Sequence, residues 1–320
     1  MVDLMGKRNY FFVLSALILI AGIIGYFVNG GFQEDISFKG GTVLEFKMND
    51  PNFSADRAKT VAEAALGNKK VSIQKSQSLS SKDNTKKTDI MMVSIANSSD
   101  ALSGDEIKKV ESAIINEFKL NPSDAIISEN SVQPFIGDEI KGNGIKAIIV
   151  ASILIIVYIW FRFRIMSGLS AGVMAVVALL HDVMIMLAVY AIFRIPLNES
   201  FIAAILTVYG YSMNDTIIIY DRIRENSNLL RKTAVAELVN KSIMQTLARS
   251  INTVVTVLIS IITVYVFAIY FNIPSIKEFS FPLIIGIASG CYSSIFIASP
   301  LWVMWKEGQA TRKISAKSAR

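Results

Sequence analysis

Long apolar runs separated by short polar breaks fill most of this 320-residue chain, and the spacing of the runs sets its architecture. Stretches near residues 11–28, 143–161, 168–193, 200–220, 251–271 and 279–305 are each long enough to cross about 30 Å of hydrocarbon at about 1.5 Å per residue of helix. The pattern predicts a polytopic α-helical membrane protein with six transmembrane helices. Lys7 and Arg8 precede the first run as in a signal peptide. That run is long, however, and "YFVNGGFQED" offers no small-x-small cleavage site, so an uncleaved anchor is expected.

One sizeable polar block interrupts the runs, residues 29–142, about the size of a small domain. "TVLEFKM" (42–48) alternates with period two, as a half-buried strand does. "SADRAKTVAEAAL" (54–66) opens on a serine cap and continues at helical spacing. "VSIQKS" and "DIMMVSIA" read as two further strands around the polar loop "SSKDNTKKT". A second capped helix spans 103–118, and "DAIISENSV" closes as a strand. The order β-α-β-β-α-β is that of the split βαβ, ferredoxin-like sandwich, a fold that carries many functions. "FKGGT" (38–42) lacks the spacing of a phosphate-binding loop and is expected to be a glycine turn entering the first strand. No catalytic constellation stands out in this block, so contact with another polypeptide is its expected business.

Composition agrees with the pattern: 52% of residues are hydrophobic and 18% charged, with a mean hydropathy of +0.46. The net charge of +6 does not call for nucleic acid, because Lys and Arg gathered on the cytoplasmic side of a membrane produce the same excess. Lys7–Arg8, Arg162 with Arg164, the segment 221–249 and the tail from Lys306 are the basic regions, and all fall on one side. Both termini are therefore expected in the cytoplasm, with 29–142 and the short loops near Pro196 and Pro274 outside. The expected organisation is 1–28 (N-terminus and first span), 29–142 (extracytoplasmic domain), 143–305 (spans two to six) and 306–320 (basic tail). Within it, Leu230, Ala234, Leu238 and Ser242 recur at helical spacing, which predicts a separate amphipathic helix on the cytoplasmic surface within 221–250. A single cysteine, Cys291, and a single histidine, His181, allow no disulfide within the chain and no Cys- or His-based metal cluster.

Charged groups inside the spans are the sharpest signal. His181 and Asp182 fall near the middle of span three, Asn214 and Asp215 in the inner half of span four, and Arg249 at the mouth of span five. A charge at the bilayer centre costs about 2.5–3.5 kcal/mol on insertion scales, so such groups face a bundle interior and have a partner. Spans four and five run antiparallel, and Asp215 lies roughly 7–8 Å above the inner end of its span. The long side chain of Arg249 reaches that height, which makes the two an expected pair. Thr207, Tyr211 and Asp215, spaced by four, put a polar stripe on one helix face. Two readings stand: a static ion pair that fixes packing, or a titratable carboxylate with a permanent counter-ion. His181 is either a satisfied buried histidine or part of the same machinery, and no second histidine supports an "HD" metal hydrolase. "GIASG" (286–290), continued by Ser294 and Ala298, and "GLSAG" (168–172) are small-residue faces for close helix packing.

"GYSMNDTIIIYDRIREN" (210–226), with "ALLHD" (178–182), "QTLARS" (245–250) and "YSSIFIASP" (292–300), resembles the SecD/SecF family of the bacterial Sec protein-export machinery, on its SecF side. "SFKGGT" (37–42) and "VQPFIGDEI" (132–140) stand in the matching places. The resemblance implies a six-span half of an RND-type (resistance–nodulation–division) bundle in a bacterial inner membrane, paired with a homologous SecD half. It implies a place beside the SecYEG channel, with YajC and SecA as indirect partners and an unfolded exported polypeptide as substrate. The proton gradient, or sodium in some relatives, drives late translocation in that family. The family's acidic residue on span four maps onto Asp215, beside Asn214, its arginine before span five onto Arg249, and its His-Asp on span three onto His181 and Asp182. No cofactor and no enzymatic reaction is implied. Ser37 and Gln133 depart from the family's aspartate and glycine at those places. The competing reading, half of an RND-type drug or lipid efflux transporter, fits poorly with a single polar block of this size and a very short loop between spans three and four.

Overall fold

The structure, a computed structural model, describes residues 3–35, 38, 41–48, 50, 53–67, 71–79, 87–96, 102–122, 125–132, 134–230, 232–271 and 273–318. Ser37, Gln133, and Lys39 and Gly40 of the glycine motif lie outside the described residues, as does most of the polar loop between the second and third strands. Helix α1 (Arg8–Val28) is an unbroken apolar run. It stops where Gly30 (φ 73°) and Gly31 (φ 108°) take left-handed backbone, which a residue without Cβ adopts freely. The amide of Gly31 then closes on the carbonyl of Tyr26 at 2.8 Å.

The polar block contains β1 (Gly41–Met48), α2 (Ala55–Ala65), β2 (Val71–Leu79), β3 (Lys87–Ala96), α3 (Gly104–Phe118) and β4 (Ile126–Val132). Its sheet runs β2-β3-β1-β4 with every neighbouring pair antiparallel. Leu44 pairs with Val93 on one side and Glu129 on the other, and Ile73 pairs with Val93. Alternation turns Leu44, Phe46, Met48, Met91, Val93 and Ile95 to one face, where Ala58, Ala62, Ile107, Val110 and Ile114 of the two helices cover them. Both helices begin on the expected serines. The Ser54 side chain accepts from the amide of Arg57, and Ser103 with Glu106 forms a capping box.

The spans continue with α4 (Pro134–Arg162), a short 3₁₀ turn (Arg164–Met166), α5 (Gly168–Phe193), α6 (Glu199–Leu229), α7 (Val235–Tyr270), α8 (Pro274–Ser293), one π-helical turn (Ser294–Ala298) and α9 (Ser299–Ser318). Six membrane-length helices result, the sixth being α8 through α9. Burial sorts them. The apolar windows of α5, α6 and α8–α9 are 50%, 50% and 61% buried, whereas those of α1, α4 and α7 are 11%, 11% and 6% buried. Three central helices are thus flanked by three whose apolar side chains face outward, the arrangement lipid demands.

Two spans are longer than expected. The separate amphipathic helix within 221–250 does not form: α6 runs on to Leu229, a short turn follows, and 235–250 belongs to α7. The reason is phase. Leu238, Ser242, Thr246, Ser250 and Val254 are all buried and spaced by four, so one stripe continues from this segment into span five. That stripe packs on α6, where the Asn226 amide donates to Ser242 Oγ and Gln245 Oε1, both at 2.8 Å. At about 1.5 Å per residue α7 is roughly 54 Å long, well beyond a bilayer core. The sixth span likewise continues as helix to Ser318, through the segment read as a tail. Its π turn falls directly before Pro300, whose ring cannot coexist with a regular bond to the carbonyl four residues back.

At the polar-domain end, the chain leaving α1 is tied to the loop before α6. Leu197 N donates to Gln33 O (2.8 Å) and Asp35 N to Leu197 O (2.9 Å), a parallel bridge beside Glu34. Lys141 Nζ reaches Glu34 Oε1 at 3.0 Å. Asn198 caps α6 by accepting from Phe201 N at 3.1 Å and donates to Glu278 Oε2 of α8 at 2.5 Å.

Candidate functional site

Asp182 sits where the three central helices meet, with no exposed surface. Its Oδ2 accepts from Ser212 Oγ of α6 and from Ser293 Oγ of α8, each at 2.8 Å. Its Oδ1 accepts from Ser289 Oγ of α8 at 2.7 Å, and His181 Nδ1 lies 3.4 Å away. A carboxylate is acceptor-only, and three hydroxyl donors satisfy it without a cation. Glycines make the approach possible. A Cβ at Gly290 would lie 2.8 Å from Ser212 Cβ, and one at Gly286 would lie 2.3 Å from Val208 Cγ2. Bare backbone at both places lets α8 come close enough to α6 for serines on both helices to reach one carboxylate. The seam extends toward the π turn, where Ser294 Oγ meets Thr216 Oγ1 at 2.8 Å and donates to Ser212 O at 3.1 Å.

His181 turns its other nitrogen, Nε2, into a buried position without a hydrogen-bond partner among the described residues. Its ring stacks at 6.1 Å on Tyr292, whose hydroxyl donates to Phe11 O (2.7 Å) and accepts from Ser15 Oγ (3.2 Å). The His-Asp pair therefore points two ways, Asp182 into the core and His181 toward α1, as the roughly 100° turn between adjacent helical residues requires.

Asp215 stands three residues along α6 from Ser212, a residue that lines its cleft as well as donating to Asp182. It is 4% exposed, and none of its side-chain oxygens has a hydrogen bond or ion pair among the described residues. It borders a cleft of about 10 Å³ with Tyr211, Asn214, Thr253, Val254 and Cys291, room for a single water-sized occupant. Tyr211 is 44% exposed and Asn214 is exposed, so this edge of α6 leads from the bundle surface inward to the carboxylate. Thr207, the first residue of the expected stripe, spends its hydroxyl on Ala203 O at 2.9 Å.

The structure brings spans four and five together but not the two charges. Arg249 is exposed and makes no ion pair with Asp215. From α7 the cleft is lined by Thr253, Val254 and Val257; Thr253 lies one turn further along the helix from Arg249, and its Oγ1 donates to Arg249 O at 2.9 Å. Of the sequence candidates, then, Asp215 and Asn214 border one cleft, Asp182 and His181 form a cluster joined to it through Ser212, and Arg249 stands a turn away from the first. Ser289 and Ser293 were missed, although their i,i+4 spacing was a visible signal. Among the described residues no three His, Cys, Asp or Glu side chains gather as metal ligands would.

Six membrane-length helices around buried carboxylates, with one polar domain between the first two, give the chain the frame of a multi-pass membrane protein. The family model for "Protein export membrane protein SecD/SecF, C-terminal" matches residues 113–308, and the chain belongs to that family. It is 37% identical over 309 residues to the protein translocase subunit SecF of Alicyclobacillus acidocaldarius, covering 95% of this chain and 92% of that one. It is 32% identical to protein translocase subunit SecDF of Bacillus subtilis over 98% of its own length, but only 39% of that longer chain. Among solved structures, SecDF from Thermus thermophilus, a translocon-associated membrane protein, superposes with a TM-score of 0.76 at 30% identity. That match covers 96% of this chain and 39% of the other. In these longer relatives the matching segment and a SecD half share one chain.

Proposed function

We propose that this chain is the six-span half of an accessory complex of protein export, working with a homologous SecD half beside a SecYEG channel. In this reading, YajC and SecA are indirect partners. The complex draws on the proton or sodium gradient of a bacterial cytoplasmic membrane to promote late translocation of unfolded exported chains. Both termini are cytoplasmic and residues 29–142 lie outside as a ferredoxin-like domain. The asymmetry of basic residues supports the orientation, and the β2-β3-β1-β4 order with two helices on one face supports the domain.

The observation that carries the coupling is Asp215: a carboxylate buried in a membrane helix, unpartnered among the described residues, beside a cleft sized for one small occupant. An unpaired intramembrane acid is a functional position by default, because its burial is expensive unless it is used. Taking up or losing a cation there changes the charge inside a packed interface of α6, α7 and α8 and so biases how those helices sit. Arg249 serves as the movable counter-ion, its long side chain able to cross the one turn that separates it from Thr253. Asp182, held by three serines, sets the register of α6 and α8 on α5 and so positions Asp215.

The test is export in inverted membrane vesicles with proton and sodium gradients imposed separately. Asp215→Asn is expected to remove stimulation by the coupling ion while expression and association with SecD remain. Normal gradient-driven export by that variant would overturn the proposal.

A further inference from the structure

A cleft of about 500 Å³ opens at the far end of the bundle from the polar domain, between the end of α4, the start of α5 and α9. Its walls are chemically divided. Trp160, Leu169, Val173 and Trp305 make an apolar side, and Arg164 and Ser167 stand at its polar rim. Both tryptophans are about half exposed, at 51% and 49%. Indoles at span ends mark the boundary between hydrocarbon and headgroups. Lys306 of α9 donates to Ser167 Oγ at 2.5 Å, which brings a second cation to the rim and fixes the height of α9 against α5.

The charges at this end of the bundle are not equivalent. Arg162 and Arg224 share Asp221, at 3.1 and 2.7 Å, Arg222 pairs with Glu225 at 2.5 Å, and Arg8 lies 3.6 Å from Glu307. Arg164 has no carboxylate partner among the described residues, and its guanidinium rests instead on the Phe161 ring at 4.9 Å. No carboxylate is found among the described residues lining the cleft. The local acids are thus engaged elsewhere, and an unneutralised guanidinium remains beside an apolar hollow at headgroup level.

We propose that this cleft is a binding site for one anionic phospholipid, with the headgroup phosphate on Arg164 at the rim and an acyl chain along Leu169 and Val173 between the two tryptophans. Phospholipid is the abundant membrane ligand that offers an anion and a chain together at this height. A guanidinium suits phosphate because its fork of donors matches two phosphate oxygens. The assignment is independent of the ion-coupling reading, since it uses neither Asp215 nor Asp182, and it holds whichever leaflet the far end occupies.

Photo-crosslinking in nanodiscs tests it, using the intact chain with its SecD partner and a trace of phosphatidylglycerol carrying a photoreactive acyl group. Crosslinks are expected on peptides covering 160–174 and 303–309. Arg164→Gln is expected to reduce them about five-fold, the share of affinity that one basic residue contributes at an anionic surface. Val173→Trp, which fills the apolar part, is expected to reduce them too and keeps the test intact if the arginine variant is poorly made. A phosphatidylcholine probe should label several-fold less, and millimolar inorganic phosphate should not compete. Equal labelling by phosphatidylcholine, no loss in either variant, or full competition by free phosphate would each overturn the assignment.

Discussion

The same substitution, Asp→Asn, should have opposite effects on stability at the two buried acids of this bundle. Asp182 accepts three hydroxyl hydrogen bonds at 2.7–2.8 Å. Its amide isostere keeps one acceptor oxygen and presents two N–H donors to serines that are already donating. Charge-assisted bonds contribute about 1.5–3 kcal/mol and neutral ones about 0.5–1.5 kcal/mol, so each of the three loses about 1 kcal/mol. Ser293 recovers part of this, because its hydroxyl already lies 3.2 Å from Gly290 O. Losing the buried charge returns a further fraction, which leaves a destabilisation of about 2–3 kcal/mol. Asp215 makes no such bonds, so Asp215→Asn forfeits none and relieves a buried charge, a change between zero and about 1 kcal/mol in favour of the fold. For a unit of this size the gap corresponds to roughly 4–16 °C in midpoint. Tryptophan fluorescence during thermal unfolding in one detergent, at one protein concentration, reads it directly. Equal midpoints for the two variants, or a larger loss for Asp215→Asn, would refute the hydrogen-bond assignment on which the contrast rests.

Gly286→Ala should lower stability by about 1–3 kcal/mol, because the new methyl would meet Val208 Cγ2 and Met186 Sδ, while Gly210→Ala, with open space around it, should be tolerated; matched melts of the two variants decide this. Asn198→Ala should cost about 1–2 kcal/mol by removing the cap of α6 and the bond to Glu278, and it should raise hydrogen exchange in the first turn of α6. Cys291 is the single cysteine, half-buried on the Asp215 cleft, so a membrane-permeant maleimide should label it slowly, at a rate set by how often the cleft opens. Its labelling rate should change at least two-fold when the coupling gradient is imposed and should stay constant in Asp215→Asn. A rate indifferent to the gradient in the unaltered chain would argue that the cleft does not move.

The helices were legible because lipid permits so little: a span must be long, apolar and internally hydrogen-bonded. The serine caps of α2 and α3 were legible too, since a cap is a local event within four residues. The continuity of α7 was not read, although Leu238, Ser242, Thr246, Ser250 and Val254 keep one phase throughout. Small polar members dilute the apolar signal of such a stripe, and its burial is decided by α6. Asp215 and Asp182 announced themselves as charges where hydrocarbon belongs. What surrounds them did not, because helical spacing gives the height of a residue and not its azimuth toward a neighbouring helix. Arg249 matched Asp215 in height and still points elsewhere. The serines around Asp182 come from two helices, and only the crossing set by Gly286 and Gly290 brings them together.

The parallel bridge between Gln33–Asp35 and Leu197 ties the chain leaving α1 to the start of α6. Asn198, next in the chain, caps the helix that carries Asp215 about 24 Å further down its axis. A stroke of α6 along its own length therefore pulls on a backbone already hydrogen-bonded to Gln33 and Asp35. A shift of one helical turn, about 5.4 Å, could not be absorbed there without breaking both bridge bonds. The segment that leads from α1 toward the polar domain is thus geared to the helix that carries Asp215.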